Sequence, residues 1–152
     1  MIRIGVLSDS HGMMNLLYDA VDEMKHCDVI VHLGDHAGDA KEISARTGKT
    51  TWIVSGNCDW FSDYDNGRIL EYEGVRVYIT HGHSESVKSG LTKLSLKAEA
   101  LEAGLVLYGH THKPCVEQDG RCMFINPGAI RDGRYAIVEI DSGNIRSNLK
   151  KL

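Results

Sequence analysis

The 152 residues are 42% hydrophobic and 25% charged, with a net charge of −4, the profile of one ordinary globular domain (1–152) large enough for a real core. The slightly acidic balance lacks the basic footprint of a DNA-wrapping module, so no stable nucleic-acid complex is expected. An enzyme acting on a small nucleotide stays open.

Ile2 to Leu7 alternates loosely among β-formers and reads as a buried first strand. It is too short for a signal-peptide core, Arg3 interrupts it, and Asp9 and His11 follow where a cleavage site would stand. Met13 to Met24 spaces Leu16, Leu17, Ala20, Val21 and Met24 as a helix. Asp28 to Leu33 is a near-continuous apolar run, a strand covered on both faces. Asp39 is placed to cap a helix from Ala40 to Arg46 that Gly48 ends, and Thr50 to Val54 is a third strand.

This β-α-β-α-β order predicts parallel strands with right-handed crossovers. Beyond it, Arg68 to Tyr72 and Val75 to Thr80 flank Glu73-Gly74 as a hairpin. Leu91 to Ala103 is a helix and Leu105 to Tyr108 a strand. Cys115 to Gln118 and Cys122 to Asn126 flank Asp119-Gly120, a strong hairpin signal. Tyr135 to Ile140 and Ile145 to Leu149 flank a last turn at Asp141-Ser142-Gly143. With no linker or repeat, the α/β pattern reads as two mixed sheets packed face to face with helices outside. No stretch approaches the ~18 apolar residues of a membrane span. The cysteines Cys27, Cys58, Cys115 and Cys122 form no CxxC pair, so free thiols in a reducing cytoplasm are expected.

Polar clusters stand just past five strands: Asp9-Ser10-His11, Gly34-Asp35, Gly56-Asn57-Cys58-Asp59, His81-Gly82-His83 and Gly109-His110-Thr111-His112. In open α/β sheets the ligand crevice lies outside the carboxyl ends of the strands, so these clusters would converge. Singly, each has an ordinary explanation: Asp35 as a helix cap, His81 as a hydrogen-bonded strand-end histidine. Ordinary explanations do not cover all five together. Imidazole, carboxylate and amide oxygen suit Mn, Zn, Fe or Ni, and the lack of a thiolate set disfavours structural zinc. A single Asp can bridge two ions about 3.5–4 Å apart. Asp9-x-His11 and His110-x-His112 are read as extended segments projecting alternate residues to one side. Glycine precedes Asp35, Asn57 and His110, where a tight turn or a close backbone approach is expected.

The order DxH, GD, GNxD, HGH, GHxH resembles the calcineurin-like metallophosphoesterase superfamily, and the length its small bacterial and archaeal phosphodiesterase branch, which is related to the retromer subunit of eukaryotes. The resemblance runs from Asp9 to Asn126-Pro127-Gly128 and implies a four-layer αββα sandwich. It assigns Asp9, His11 and His112 to one divalent ion and Asn57, His81 and His110 to a second, with Asp35 bridging. Manganese is the ion expected, with nickel, zinc, iron or magnesium as alternatives. It also implies a homodimer or homotetramer.

One position departs from the wider pattern. Many members carry a histidine after the metal-binding asparagine, thought to protonate the leaving group; here Cys58 stands there, as in the small branch, followed by Asp59. A thiol with a pKa near 8.5 is a poor general acid at neutral pH. A preference for activated leaving groups follows, or a different proton donor. His83 is a candidate for contacting the substrate phosphate or supporting a ligand, and Asp59 for orienting His81 or His110 or capping a short helix. His36 is expected to be no ligand, and Asp39 a cap. His32 and His26 read as structural, and Lys88 with the Ser84–Ser89 segment as lining the substrate mouth. Ala129 stands where relatives often have serine, so no catalytic role falls to the Asn126-Pro127-Gly128 turn.

The function expected is hydrolysis of a small phosphoester, foremost a diester, by a hydroxide bridging the two ions. Two alternatives stand beside it: a non-enzymatic scaffold of the retromer-subunit type, and a phosphomonoesterase or nucleotide pyrophosphatase.

Overall fold

A computed structural model describes residues 1–60 and 63–152. The alternating strands need two covered faces, and the chain provides them by building two five-stranded sheets. In the first, β1 (Ile2–Leu7), β2 (Val29–His32) and β3 (Thr50–Ile53) run parallel. Their connections contain α1 (Met14–Glu23) and α2 (Lys41–Thr47). The second sheet holds β4 (Gly67–Tyr72), β5 (Val75–Thr80), β6 (Leu105–Tyr108), β7 (Cys115–Asp119) and β8 (Cys122–Asn126), with α3 (Thr92–Ala100) between β5 and β6. The chain then returns to the first sheet as the antiparallel pair β9 (Arg134–Asp141) and β10 (Asn144–Lys151). The orders are β10-β9-β1-β2-β3 and β4-β5-β6-β8-β7, with β5, β6 and β8 parallel.

The period-2 pattern sorts side chains into three apolar interfaces, which makes four layers. Ile4 and Val6 of β1, Val31 of β2 and Leu105 and Leu107 of β6 meet between the sheets. Leu7 and Ile30 point the other way, onto Leu17 and Val21 of α1, Met24 at its C-terminal end and Ile43 of α2. Val106 and Tyr108 cover the opposite outer face with Leu94 and Ala98 of α3. The four-layer αββα sandwich is therefore the observed fold. No helix among the described residues is long and apolar enough to cross a membrane.

Three local expectations need correction. The helix expected to reach Ala103 stops at Ala100 because Glu102 turns left-handed (φ 55°). Ala103 N–H then bonds Ala98 O (2.9 Å) and Glu102 N–H bonds Glu99 O (3.1 Å), a Schellman stop. At the Asp119-Gly120 hairpin, Asp119 pairs with Cys122, so the loop is Gly120-Arg121 with glycine first at φ 59°. This is the glycine placement of a type II′ turn. Asp39 does not cap α2: Ala37–Ala40 form a 3₁₀ turn ahead of it, and the Asp39 carboxylate bonds across to Ser10 and Gly12. Gly48 does end α2, at φ 68°.

Leu107 is fully buried between the sheets. Leu107→Ala is expected to lower stability by about 2–5 kcal/mol, read from urea denaturation, because a β-sandwich core relaxes only partly around a cavity.

Candidate metal centre

Parallel strands bring their carboxyl ends to one edge, so Asp9, Asp35 and Asn57 leave the first sheet together, and His81 and His110 leave the second. Backbone pairing continues past the strands and fixes loop against loop. Leu33 N–H bonds Leu7 O (2.8 Å), Asp9 N–H bonds Gly34 O (2.9 Å), and Gly109 N–H bonds His81 O (3.0 Å). The DxH and HxH segments are not extended. Asp9, His11, His110 and His112 all adopt left-handed backbone (φ 55°, 48°, 72° and 63°), as does Asp35 (φ 57°). Thr111 N–H bonds Gly109 O (2.9 Å), closing a γ-turn on His110. Such conformations are costly for non-glycine residues and concentrate at functional sites. The glycines do permit close approach: a Cβ on Gly56 would sit 2.2 Å from Asp35 Oδ1, and one on Gly34 would sit 2.5 Å from Gly56 N.

Two ligand-like groups result. Donor atoms of Asp9, His11, Asp35 and His112 lie within 4.8 Å of one another, as do those of Asp35, His81 and His110. Asp35 belongs to both. His112 Nε2 lies 3.0 Å from Asp9 Oδ1. His11 Nε2 stands 3.6 Å from both Asp9 Oδ1 and Asp35 Oδ2. That is long for a hydrogen bond and close to the spacing of two ligands each about 2.1 Å from a shared ion. On the other side His81 Nε2 faces Asn57 Oδ1 and His110 Nδ1, each at 3.1 Å, and Asp35 Oδ1 at 3.5 Å.

The chemistry of this set fits a cation. His81 Nδ1–H donates to Leu33 O (2.7 Å), so in the neutral ring Nε2 is a bare lone pair aimed at oxygen acceptors. His11 Nε2 is buried with no hydrogen-bond partner among the described residues. Burial, the largest cause, pushes the His110 imidazole down to about 4, leaving it neutral. Burial opposes ionisation of Asp35, yet His81 and the Cys58 amide outweigh it and lower the carboxyl pKa. A neutral imidazole at His110 and an ionised carboxylate at Asp35 are the forms a divalent ion binds.

The description "Calcineurin-like phosphoesterase superfamily domain" fits residues 2–143. The chain belongs to that superfamily. Among curated metallophosphoesterases, it is 28% identical to "Probable metallophosphoesterase YsnB" of Bacillus subtilis over 93% of this chain and 86% of that protein. It is 25% identical to "Phosphodiesterase MJ0936" of Methanocaldococcus jannaschii over 84% of this chain and 83% of that one. A crystal structure of a conserved uncharacterized protein of Streptococcus pneumoniae, described as a predicted phosphoesterase, superimposes with a TM-score of 0.85 at 29% identity, covering 99% of this chain and 89% of that one. A Vps29 single mutant from Entamoeba histolytica gives 0.80 at 15% identity, with 99% of both chains covered, and shows shared fold alone.

Around the metallophosphoesterase site, the secondary candidates divide. His83 sits beside the second group, its ring centroid 5.5 Å from that of His81, with a buried Nδ1 that has no hydrogen-bond partner among the described residues. Burial, then His81, lowers its pKa. His36, in left-handed backbone, sets its ring centroid 5.4 Å from that of His11, the two planes tilted by 57°. Cys58 is exposed; burial of its thiol and the Asp35 carboxylate raise its pKa, while its N–H donates to Asp35 Oδ1 (3.0 Å). Asp59 orients neither His81 nor His110 among the described contacts. Its carboxylate accepts the Gly56 and Ala37 N–H groups (both 2.8 Å), locking the loop after β3 to the one after β2. The charge of Lys88 is felt at His110.

Several supporting residues escaped the sequence reading. Ser8 Oγ donates to Asp9 Oδ2, which also accepts His110 N–H (3.2 Å). Asn126 is fully buried and donates Nδ2 to Gly109 O (3.2 Å) and Thr111 Oγ1 (2.9 Å), bracing the His110 loop. Its signal was available: Asn126 ends a strand parallel to β6.

Histidines held neutral by burial make a pH prediction. His32 is fully buried and pushed down to about 4. In the unfolded chain its pKa returns to about 6.5, so the unfolded state takes up a proton that the folded state refuses. Stability is full above about pH 6.5 and falls as pH drops toward 4, by up to roughly 3 kcal/mol from His32, with His110 and His83 adding in the same direction. Urea denaturation of EDTA-treated protein between pH 7 and 4.5 is expected to show a steeper loss in wild type than in His32→Gln; equal slopes would contradict this.

Proposed function

We propose that the chain is a metal-dependent phosphodiesterase acting on a small phosphoester. Asp9, His11 and His112 would hold one divalent ion and Asn57, His81 and His110 a second, with Asp35 shared between them. The observation that carries this reading is that, among the described residues, Asp35 alone belongs to both donor groups. Manganese is the preferred ion, with nickel, zinc, iron or magnesium as substitutes, since such N/O sites accept several. Bound there, a pair of ions supplies an acidified water as nucleophile and neutralises charge on the phosphoryl oxygens.

The protein's own residues do the rest. The left-handed turns at Asp9, His11, His110 and His112 aim both carboxylate and imidazole lone pairs inward before substrate arrives. His83 lies beside His81 and His110 and is the candidate for contacting the substrate phosphate. Lys88 adds positive charge on the same side. Cys58 remains a thiol at neutral pH, because burial and Asp35 disfavour the thiolate. The leaving group therefore departs with little proton assistance from this position, which favours phenolate-like leaving groups.

The diester preference is supported by the likeness to the protein named Phosphodiesterase MJ0936. All four cysteines are free, which accords with a cytoplasmic setting. The retromer-type scaffold reading rests on the Vps29 likeness, and at 15% identity that likeness carries fold and no more.

A rate panel over aryl diesters, aryl monoesters and cyclic nucleotides with Mn²⁺, Ni²⁺, Zn²⁺ and Mg²⁺ tests the reading. Aryl diester turnover with Mn²⁺ is expected to lead, to vanish with chelator, and to fall more than about 100-fold in Asp35→Asn, beyond what loss of an outer hydrogen-bond partner costs. Cys58→His is expected to speed hydrolysis of an alkyl diester, by up to about 100-fold, the lower range for a positioned acid. Equal rates in demetallated and Mn²⁺-loaded enzyme would sink the mechanism, and no gain in Cys58→His would sink the leaving-group assignment.

A further inference from the structure

Behind the loops of the first ion lies a buried polar chain of hydrogen bonds that the proposed chemistry does not use. Gly34 N–H donates to His32 Nδ1 (3.1 Å), which leaves the imidazole proton on Nε2. His32 Nε2–H then donates to Ser10 Oγ (3.1 Å), and Ser10 O–H donates to Asp39 Oδ2 (3.0 Å). The same Asp39 oxygen accepts Gly12 N–H (3.1 Å). Every donor in this chain has an acceptor, and each bond has a fixed direction. His32 and Ser10 are both fully buried.

A Ser, a His and an Asp side by side suggest a nucleophile, and the geometry rules that out. The carboxylate bonds the serine rather than His32 Nδ1, which is occupied by a backbone amide, and Ser10 has no exposure to substrate. The chain's endpoints are more informative. Gly34 immediately precedes Asp35, Ser10 lies between Asp9 and His11, and Gly12 follows His11. One ring therefore touches the backbone beside the bridging carboxylate with one nitrogen and the loop of the first ion with the other. Asp9, His11 and Asp35 all hold left-handed backbone that they would not keep unaided.

We infer that His32 is a positioning residue for the metal centre, spacing the Asp9–His11 loop from Asp35 through its two ring nitrogens. This rests on the metal reading above. Complete burial, which keeps the ring neutral, preserves the donor–acceptor pattern the role needs. Sequence alone places His32 inside a strand and reveals neither contact.

Mn²⁺ titration by calorimetry, with electron paramagnetic resonance of the bound ions, tests this on full-length wild type, His32→Leu, His32→Gln and Ser10→Ala. His32→Leu is expected to weaken Mn²⁺ binding about 10–100-fold and to replace the spin-coupled pair by isolated-ion signals at limiting metal. Ser10→Ala, which deletes one oxygen, is expected to weaken binding about tenfold, the lower end of that range. Glutamine can present its amide N–H where Nε2–H stood, so His32→Gln recovers part of the affinity. A histidine that merely fills the core would lower the melting temperature of the metal-free variants and leave Mn²⁺ affinity and spin coupling unchanged. That result overturns the inference. If His32→Leu does not fold, Ser10→Ala decides. Wild type that binds no Mn²⁺ overturns the metal reading and this inference with it; wild type binding two ions beside variants of equal affinity overturns this inference alone.

Discussion

Around Asp35 the protein crowds potential acceptor atoms together. His81 Nε2, Asn57 Oδ1, His110 Nδ1 and two aspartate carboxylates converge within a few ångströms, in surroundings that are largely buried. Left to themselves such acceptors repel, and each one without a donor costs about 1–3 kcal/mol. The metallophosphoesterase fold tolerates the arrangement because the three apolar interfaces of the sandwich lie elsewhere and are complete without it. A divalent cation turns the same crowding into coordination, so folding supplies the arrangement that binding then uses.

Holding this cluster open requires rigidity at the strand ends, and the structure supplies it through backbone pairing. Parallel registry continues from β1 and β2 into the loops that carry Asp9 and Asp35, and from β5 and β6 into those that carry His81 and His110. Side chains outside the cluster close the remaining gaps. Asp59 ties the Asn57 loop to the Asp35 loop, Asn126 braces the His110 turn, and the His32–Ser10–Asp39 chain spans the two loops of the first group. These contacts keep left-handed conformations in place at residues that have a Cβ and would otherwise relax.

Much of this was legible in the sequence, for identifiable reasons. Strands such as Ile2–Leu7 and Leu105–Tyr108 carry dense apolar patterning that burial on both faces demands, and their bounds were read as observed. The seven strand-end residues could be grouped because parallel topology sends carboxyl ends to one edge. What stayed hidden depends on tertiary register. DxH and HxH suggested extended spacing, whereas the residues converge through paired left-handed turns. Asp39 looked like a local cap, and Asp59 like a cap or a support for His81 or His110, yet their carboxylates bridge loops far apart in sequence, between residues 12 and 39 and between 37 and 59. His32 looked structural because nothing in a strand pattern shows which backbone amide meets its ring. The stop of α3 was missed because Glu102, not a glycine, takes the left-handed position.

Anomalous diffraction from Mn²⁺-soaked crystals, collected on either side of the manganese edge, tests the central claim most directly. Two peaks about 3.5–4 Å apart are expected, both within coordination distance of Asp35, one flanked by Asp9, His11 and His112 and the other by Asn57, His81 and His110. A single peak, or peaks away from Asp35, would contradict the bridged pair.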